Sequence, residues 1–182
     1  YSKRFKALEF FTNTHGDKMM IGVVGAKGIG ENEDGKSNLF LYNLSQDSLV
    51  YYKDNATPDG SMYNPLQLDQ DKVYVLGGWG VHAFDLQTGE KVWTYQHAPA
   101  GDPNRSFTLG DFILYEGKLV VKNRDGLLIC LDKLDGHQIW KTTDTGGILS
   151  FGRINAADNK LFYCSDDDIF IISISNGEVI LH

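Results

Sequence analysis

Hydrophobic residues along this chain come in short runs punctuated by glycine- and aspartate-containing turns, and the arrangement recurs. The segment from Lys72 to Gln96 reads KVYVLGGWGVHAFDLQTGEKVWTYQ, that from Lys118 reads KLVVKNRDGLLICLDKLDGHQIWKTTD, and that from Lys160 reads KLFYCSDDDIFIISISNGEVILH. Each contains an apolar run, a Gly or Asp turn, a second apolar run, a tight turn and a third run. The tight turns are Thr88-Gly89, Asp135-Gly136 and Asn176-Gly177, and four residues beyond each glycine stand Trp93, Trp140 and Leu181. A more degraded copy precedes them, KMMIGVVG from Lys18 and NLFLYNLSQDSLVYY from Asn38. There Asp47 takes the turn-glycine position and Tyr51 falls in register with the tryptophans. The turn anchors at 47, 89, 136 and 177 are spaced by 42, 47 and 41 residues, a period that signals stacked structural repeats.

A further short run precedes the lysine of every copy: FKALEFF, MYNPLQL, FTLGDFILY and FGRINAA. Each copy therefore offers four strand candidates. Thr-Gly, Asp-Gly and Asn-Gly between apolar runs are hairpin signals, because positive φ costs little there. The third strand of each copy (LFLY, VHAF, LLICL, IFII) is apolar nearly throughout, which predicts a strand covered on both faces. The 10 Phe, 9 Tyr, 3 Trp and 20 Gly support the same reading, and strand-type periodicity excludes a helical solenoid. A β-sandwich is the alternative, but regular self-similarity around an aromatic anchor favours propeller blades. The expectation is an all-β fold, a β-propeller of about four four-stranded blades at roughly residues 1–53, 60–96, 104–143 and 150–182, forming part of a seven- or eight-bladed ring.

The stretch K-V-Y-V-x-G-x-G-x-x-A-F-D-x-x-T-G-E-K-V-W at Lys72 to Trp93 resembles the repeat of pyrroloquinoline-quinone-type propellers. That superfamily includes quinoprotein alcohol dehydrogenases, the bacterial outer-membrane assembly lipoprotein and the luminal sensor domains of endoplasmic-reticulum stress kinases. The copy from Lys118 matches at Gly126, Leu131-Asp132, Asp135-Gly136 and Trp140; the outer two match in register. The resemblance implies that Gly89, Gly136 and Gly177 are structural turn residues and that Trp93 and Trp140 dock on neighbouring blades. Asp85 and Asp132, just before their turns, are positioned to accept hydrogen bonds from backbone N–H groups. It also implies export, to the periplasm or outside the cell. The family closes seven or eight blades, so this chain reads as a segment of a larger propeller, with self-association to complete the ring as the alternative. The quinone-dependent members hold their cofactor with a disulfide between adjacent cysteines, a stacking tryptophan and calcium ligands. Cys130 and Cys164 are far apart in sequence, so no cofactor is expected.

The remaining chemistry is sparse. A net charge of −7 argues against nucleic acid or an anionic membrane as partner, and no apolar run is long enough to span a bilayer. Both cysteines lie in apolar runs and read as small buried hydrophobes. Gly30 to Ser37 fits the phosphate-loop expression G-x-x-x-x-G-K-S, but a strand pattern follows it and Glu31, Glu33 and Asp34 would repel phosphate; an inserted loop is expected instead. That loop, or Asp166-Asp167-Asp168, leaves calcium open as an alternative, without the spacing of a dedicated calcium loop. His82 occupies an apolar column and reads as a hydrogen-bonded core residue, and no histidine pair has metal-ligand spacing. Asn43, Asn55 and Asn104 fit the N-glycosylation expression, with Asn43 a chance match at a strand end.

Trp79 stands in a Gly-Gly-Trp-Gly turn where no core position demands an indole, which makes it the candidate contact residue. The functional expectation is a non-catalytic binding or scaffolding propeller engaging a protein or peptide partner. The alternatives are a piece of a quinone- or calcium-dependent dehydrogenase, and a carbohydrate- or metabolite-sensing propeller.

Overall fold

A computed structural model describes residues 4–25, 37–58, 66–97, 111–122, 127–142, 153–164 and 169–181. The chain divides into two compact units, Tyr1–Gln96 and His97–His182. The first contains β1 (Arg4–Thr12), β2 (Lys18–Gly25), β3 (Ser37–Asn43) and β4 (Ser48–Thr57), then β5 (Gln67–Leu68), β6 (Lys72–Leu76), β7 (Gly80–Asp85) and β8 (Lys91–Gln96). The second contains β9 (Asp111–Tyr115), β10 (Lys118–Lys122), β11 (Leu128–Asp132) and β12 (Gln138–Lys141), then β13 (Asn155–Ala157), β14 (Lys160–Cys164), β15 (Ile169–Ser173) and β16 (Val179–Leu181). Each run of four forms one antiparallel meander in chain order, so each unit holds two propeller blades. The opening strands are shorter than their apolar runs suggest. β5 takes only Gln67–Leu68 of MYNPLQL and β13 only Asn155–Ala157 of FGRINAA, while residues 62–65 and 107–110 lie outside the described residues.

One turn recurs between the third and fourth strands. Gly89 N–H donates to Asp85 O at 2.9 Å, Gly136 N–H to Asp132 O at 2.9 Å, and Gly177 N–H to Ser173 O at 2.9 Å. The anchor residue is left-handed in all four blades, with φ of 51° at Asp47, 68° at Gly89, 75° at Gly136 and 75° at Gly177. A register shift follows in every blade, between Leu41/Tyr42, Ala83/Phe84, Cys130/Leu131 and Ile171/Ile172. The repeat read from spacing is thus a repeat of backbone geometry, in which a left-handed turn residue feeds a bulge that increases strand twist.

Side chains lock these turns. Asp85 Oδ1 accepts from Gln87 N–H at 3.0 Å, Thr88 N–H at 2.7 Å and Thr88 Oγ1 at 2.9 Å, and Asp132 Oδ1 accepts from Leu134 N–H at 2.7 Å. The Thr88 N–H above all holds the Asp85 carboxyl below its ordinary range. A carboxyl depressed in the folded state stabilises fully above its unfolded pKa of about 3.9 and loses that contribution as pH falls below it. Asp85→Ala should cost about 1–2 kcal/mol at pH 7. In urea melts the difference from wild type should shrink toward pH 3; a difference constant with pH would show that the carboxylate charge does not matter.

Within each unit the two blades pack face to face. In the first, Met19, Ile21 and Leu39 meet Val73, Val75 and Phe84. In the second, Val120, Leu128 and Cys130 meet Leu161, Tyr163 and Ile172. Each such side chain contributes about 1.5–3 kcal/mol on full burial, so the blades are held mainly by this layer. The double-sided burial expected of third strands holds for β7 and β11, whereas β15 alternates between buried and more exposed positions.

Candidate functional site

The meander gives every blade two unlike ends. At one, the strands are joined by tight turns, such as Glu116-Gly117 and Asp158-Asn159, both with positive φ at each central residue. At the other, β2 hands over to β3, β6 to β7, β10 to β11 and β14 to β15, and the blades connect through 58–66, 97–110 and 142–154. Variable connections on a rigid scaffold are where binding groups are usually carried.

In the first unit this loop end presents Trp79, half-buried in the turn between β6 and β7. Gly77 N–H donates to Gly80 O at 2.8 Å and closes the turn. Gly80 is required there, because a Cβ would lie 2.5 Å from Tyr95 O. Behind it His82 is buried, with Nδ1 3.1 Å from Thr94 Oγ1 and its ring 6.4 Å from that of Phe84. His82 is thus a hydrogen-bonded core histidine that supports the strand carrying Trp79.

In the second unit the loop end holds a group that the sequence pattern did not single out. Lys122, the last residue of β10, is 0% exposed. Its Nζ lies 5.7 Å from the centre of the Tyr163 ring, which stacks on Phe170 at 4.7 Å. Asp111 stands directly opposite Lys122 across β9 and β10, and its Oδ2 accepts from Ile154 N–H at 2.9 Å. Burial pushes the Lys122 ammonium pKa down, and the Asp111 carboxylate pulls it partly back. A lysine ending LVVK reads as a strand tip reaching solvent, so only the facing blade reveals its burial. Closed off in this way, it positions β9 and the Ile154 backbone rather than offering an amine to a ligand.

The other residues singled out from sequence are committed to packing or turns. Tyr51 donates from its hydroxyl to Leu86 O at 3.3 Å and lies against Gly89, where a Cβ would stand 2.7 Å from the ring. Trp140 Nε1 donates to Ile174 O at 2.7 Å, and a Cβ on Gly177 would stand 2.7 Å from that indole. Trp93 is buried, 5.9 Å from the Tyr74 ring. Asn43 is buried, donating to Asp17 Oδ2 at 3.2 Å and accepting from Gln46 N–H at 3.0 Å. Residues 30–36, Asn104 and Asp166 to Asp168 lie outside the described residues.

The cysteines require a correction. Cys130 is buried and its thiol pKa is pushed up to about 12, chiefly by burial, but Cys164 is exposed rather than buried. It ends β14 on the face turned away from the unit core, across from exposed Ile169, so the apolar run around it does not predict its burial. Ellman's reagent should therefore titrate Cys164 alone in the native chain, with Cys130 reacting only on unfolding; rapid reaction of both would contradict this packing.

One ligand-capable group was also missed. Asp132, Asp135 and His137 bring their ligand atoms within 4.8 Å of one another on the turn between β11 and β12. Asp135 Oδ1 already accepts from His137 N–H at 3.0 Å and lies 2.6 Å from His137 Nδ1. The same turn positions in the last blade, Asn176 and Glu178, are also hydrogen-bonded to each other. The trio is thus the polar form of a turn shared with other blades.

Residues 44–182 match the family of outer membrane protein assembly factor BamB. The chain belongs to that family. Two curated relatives are dehydrogenases. One is the 1-butanol dehydrogenase (cytochrome c) of Thauera butanivorans, 27% identical over 104 residues, covering 54% of this chain and 15% of that one. The other is the quinohemoprotein alcohol dehydrogenase of Comamonas testosteroni, 37% identical over 75 residues, covering 37% of this chain and 10% of that one. Among solved structures, BamB from Moraxella catarrhalis superposes with a TM-score of 0.67 at 16% identity, over 97% of this chain and 49% of its own. The computationally designed Ika8 protein gives 0.70 at 16% identity over 97% of this chain and 48% of its own. The designed Ika4 protein gives 0.67 at 17% over 96% and 93%. The chain thus spans about half of the BamB chain and a small share of either dehydrogenase.

The resemblance to quinone-dependent members can be tested on the described residues. Cys130 and Cys164 sit on different strands, one buried and one exposed, and are not joined. Trp93 and Trp140 are spent on packing. The residues present do not compose a quinone cradle of the adjacent-cysteine kind.

Proposed function

We propose that this chain is a non-catalytic binding segment of a propeller, engaging a protein or peptide partner through the loop end of its blades, with Trp79 as a contact residue. The observation that carries this reading is the unlikeness of the two blade ends. One is closed by tight turns whose polar side chains bond within the turn. The other carries the connections and the Trp79 indole on a turn held rigid by Gly80 and His82. The family name points to polypeptides assembling into the outer membrane as the partner class, and to the periplasm as the place.

Titrating the chain against labelled peptides that copy outer-membrane β-strands, read by fluorescence anisotropy, tests this. Wild type should bind saturably, and Trp79→Ala should weaken binding by about 30-fold, the scale of an interface hot spot. Equal affinity of the two proteins would remove Trp79 from the interface. Absence of saturable binding by wild type would remove the reading itself. The two dehydrogenase relatives favour a second reading, a piece of a quinone-dependent propeller. Pyrroloquinoline quinone with calcium should leave the melting temperature unchanged; a rise would favour the dehydrogenase reading.

A further inference from the structure

Sheet β1–β4 turns one face to the core of its unit and leaves the other uncovered. Two rows of directly paired residues cross that second face, Phe10–Met20–Tyr42–Leu49 and Leu8–Gly22–Phe40–Tyr52. Phe5, Phe10 and Leu49 are 58%, 65% and 56% exposed. A Cβ on Gly22 would lie 2.7 Å from the Phe40 ring and 2.8 Å from Leu8, so the glycine lets both settle against the sheet. This is the composition of a sheet face built to be covered. Sheet β13–β16 has a counterpart on the face away from its core, the row Asn155–Phe162–Ile171–Leu181, with Ile169 61% and Leu181 52% exposed.

We infer that a second copy of this chain covers both faces, sheet β13–β16 of each copy stacking on sheet β1–β4 of the other in a two-fold pair. The junctions within the units show how one blade engages the next. A ring from the fourth strand, Tyr51 or Trp140, lies on the turn glycine of the following blade, Gly89 or Gly177. At the chain's two outer blades both partners of this contact are changed. The position of the ring is held by Leu181, and the position of the glycine by Asp47, whose φ is 51°. A ring seated as on Gly89 would collide with the Cβ of Asp47, but a leucine is small enough to be received there. Sender and receiver are altered together, which matches the two outer faces to one another and so selects a second copy over an unrelated sheet. The shared fold also occurs both in a solved chain of nearly this length, 93% covered, and in chains of about twice the length, 48% and 49% covered. A pair related by a two-fold axis makes this seam twice and closes on itself, leaving neither apolar face exposed.

Sedimentation velocity of the 182-residue chain, across about 1–50 µM, tests the inference. Wild type should sediment as a dimer. Phe10→Asp and Leu181→Asp each place a charge in both seams and should weaken association by about 30-fold or more, while thermal melts confirm that the variants fold. Mixing the two variants should restore pairing, because one seam of the mixed dimer is then free of substitutions. A wild-type monomer throughout the range would overturn the inference in favour of another occupant. A dimer indifferent to both substitutions, an open-ended series of oligomers, or a mixture that restores nothing would overturn it as well.

Discussion

Asp111→Ala is expected to lower the stability of the second unit by about 3–5 kcal/mol in urea melts, the cost of stranding a buried charge. Lys122 is fully buried beneath the Tyr163 ring, and Asp111 is the carboxylate that raises its depressed pKa. Removing Asp111 leaves the ammonium without that partner and frees the Ile154 N–H as well. Lys122→Met, which keeps the aliphatic stem and removes the charge, should change stability by less than about 1 kcal/mol. The double variant decides the cause: it should recover most of what Asp111→Ala loses. If Asp111→Ala and the double variant are equally unstable, the Ile154 bond rather than the buried charge carries the effect.

Trp140→Ala should cost about 3–5 kcal/mol, the range for truncating a packed aromatic. The indole does two separable things, covering Gly177 with its face and donating from Nε1 to Ile174 O at 2.7 Å. Trp140→Phe should keep most of the first and lose the second, at about 1–2 kcal/mol. Gly177→Ala should also destabilise, both because its φ is 75° and because the added Cβ falls 2.7 Å from the ring. In the Trp140→Ala background the steric part of that loss should vanish and the backbone part remain. Full additivity of the two substitutions would argue against the docking contact.

Fold and site differ in how far the amino-acid order reveals them. The blades were legible because a left-handed turn tolerates few residues, so Gly89, Gly136 and Gly177 mark the chain at a readable interval, and Asp47 was recognisable only by its phase. His82 was legible as a core residue because its column is otherwise apolar. Lys122 was not, because its burial depends on Tyr163 in the next blade and leaves no mark in its own strand. Cys164 misled for the converse reason: apolar neighbours along a strand do not say whether its second face is covered. The grouping of Asp132, Asp135 and His137 depends on the turn folding back within six residues, which neither strand nor helix spacing anticipates.

The ring-on-glycine contact runs one way, from the fourth strand of a blade to the turn of its successor. It fixes what can be added to or lost from such a chain. A whole repeat, cut at any point in its period, hands on one ring and supplies one glycine, so the number of blades can change without disturbing those that stay. A partial repeat would leave a ring facing an ordinary turn, or a left-handed glycine with nothing to cover it. Length variation in a protein built this way is therefore quantised, in steps of the 41 to 47 residues that separate its turns.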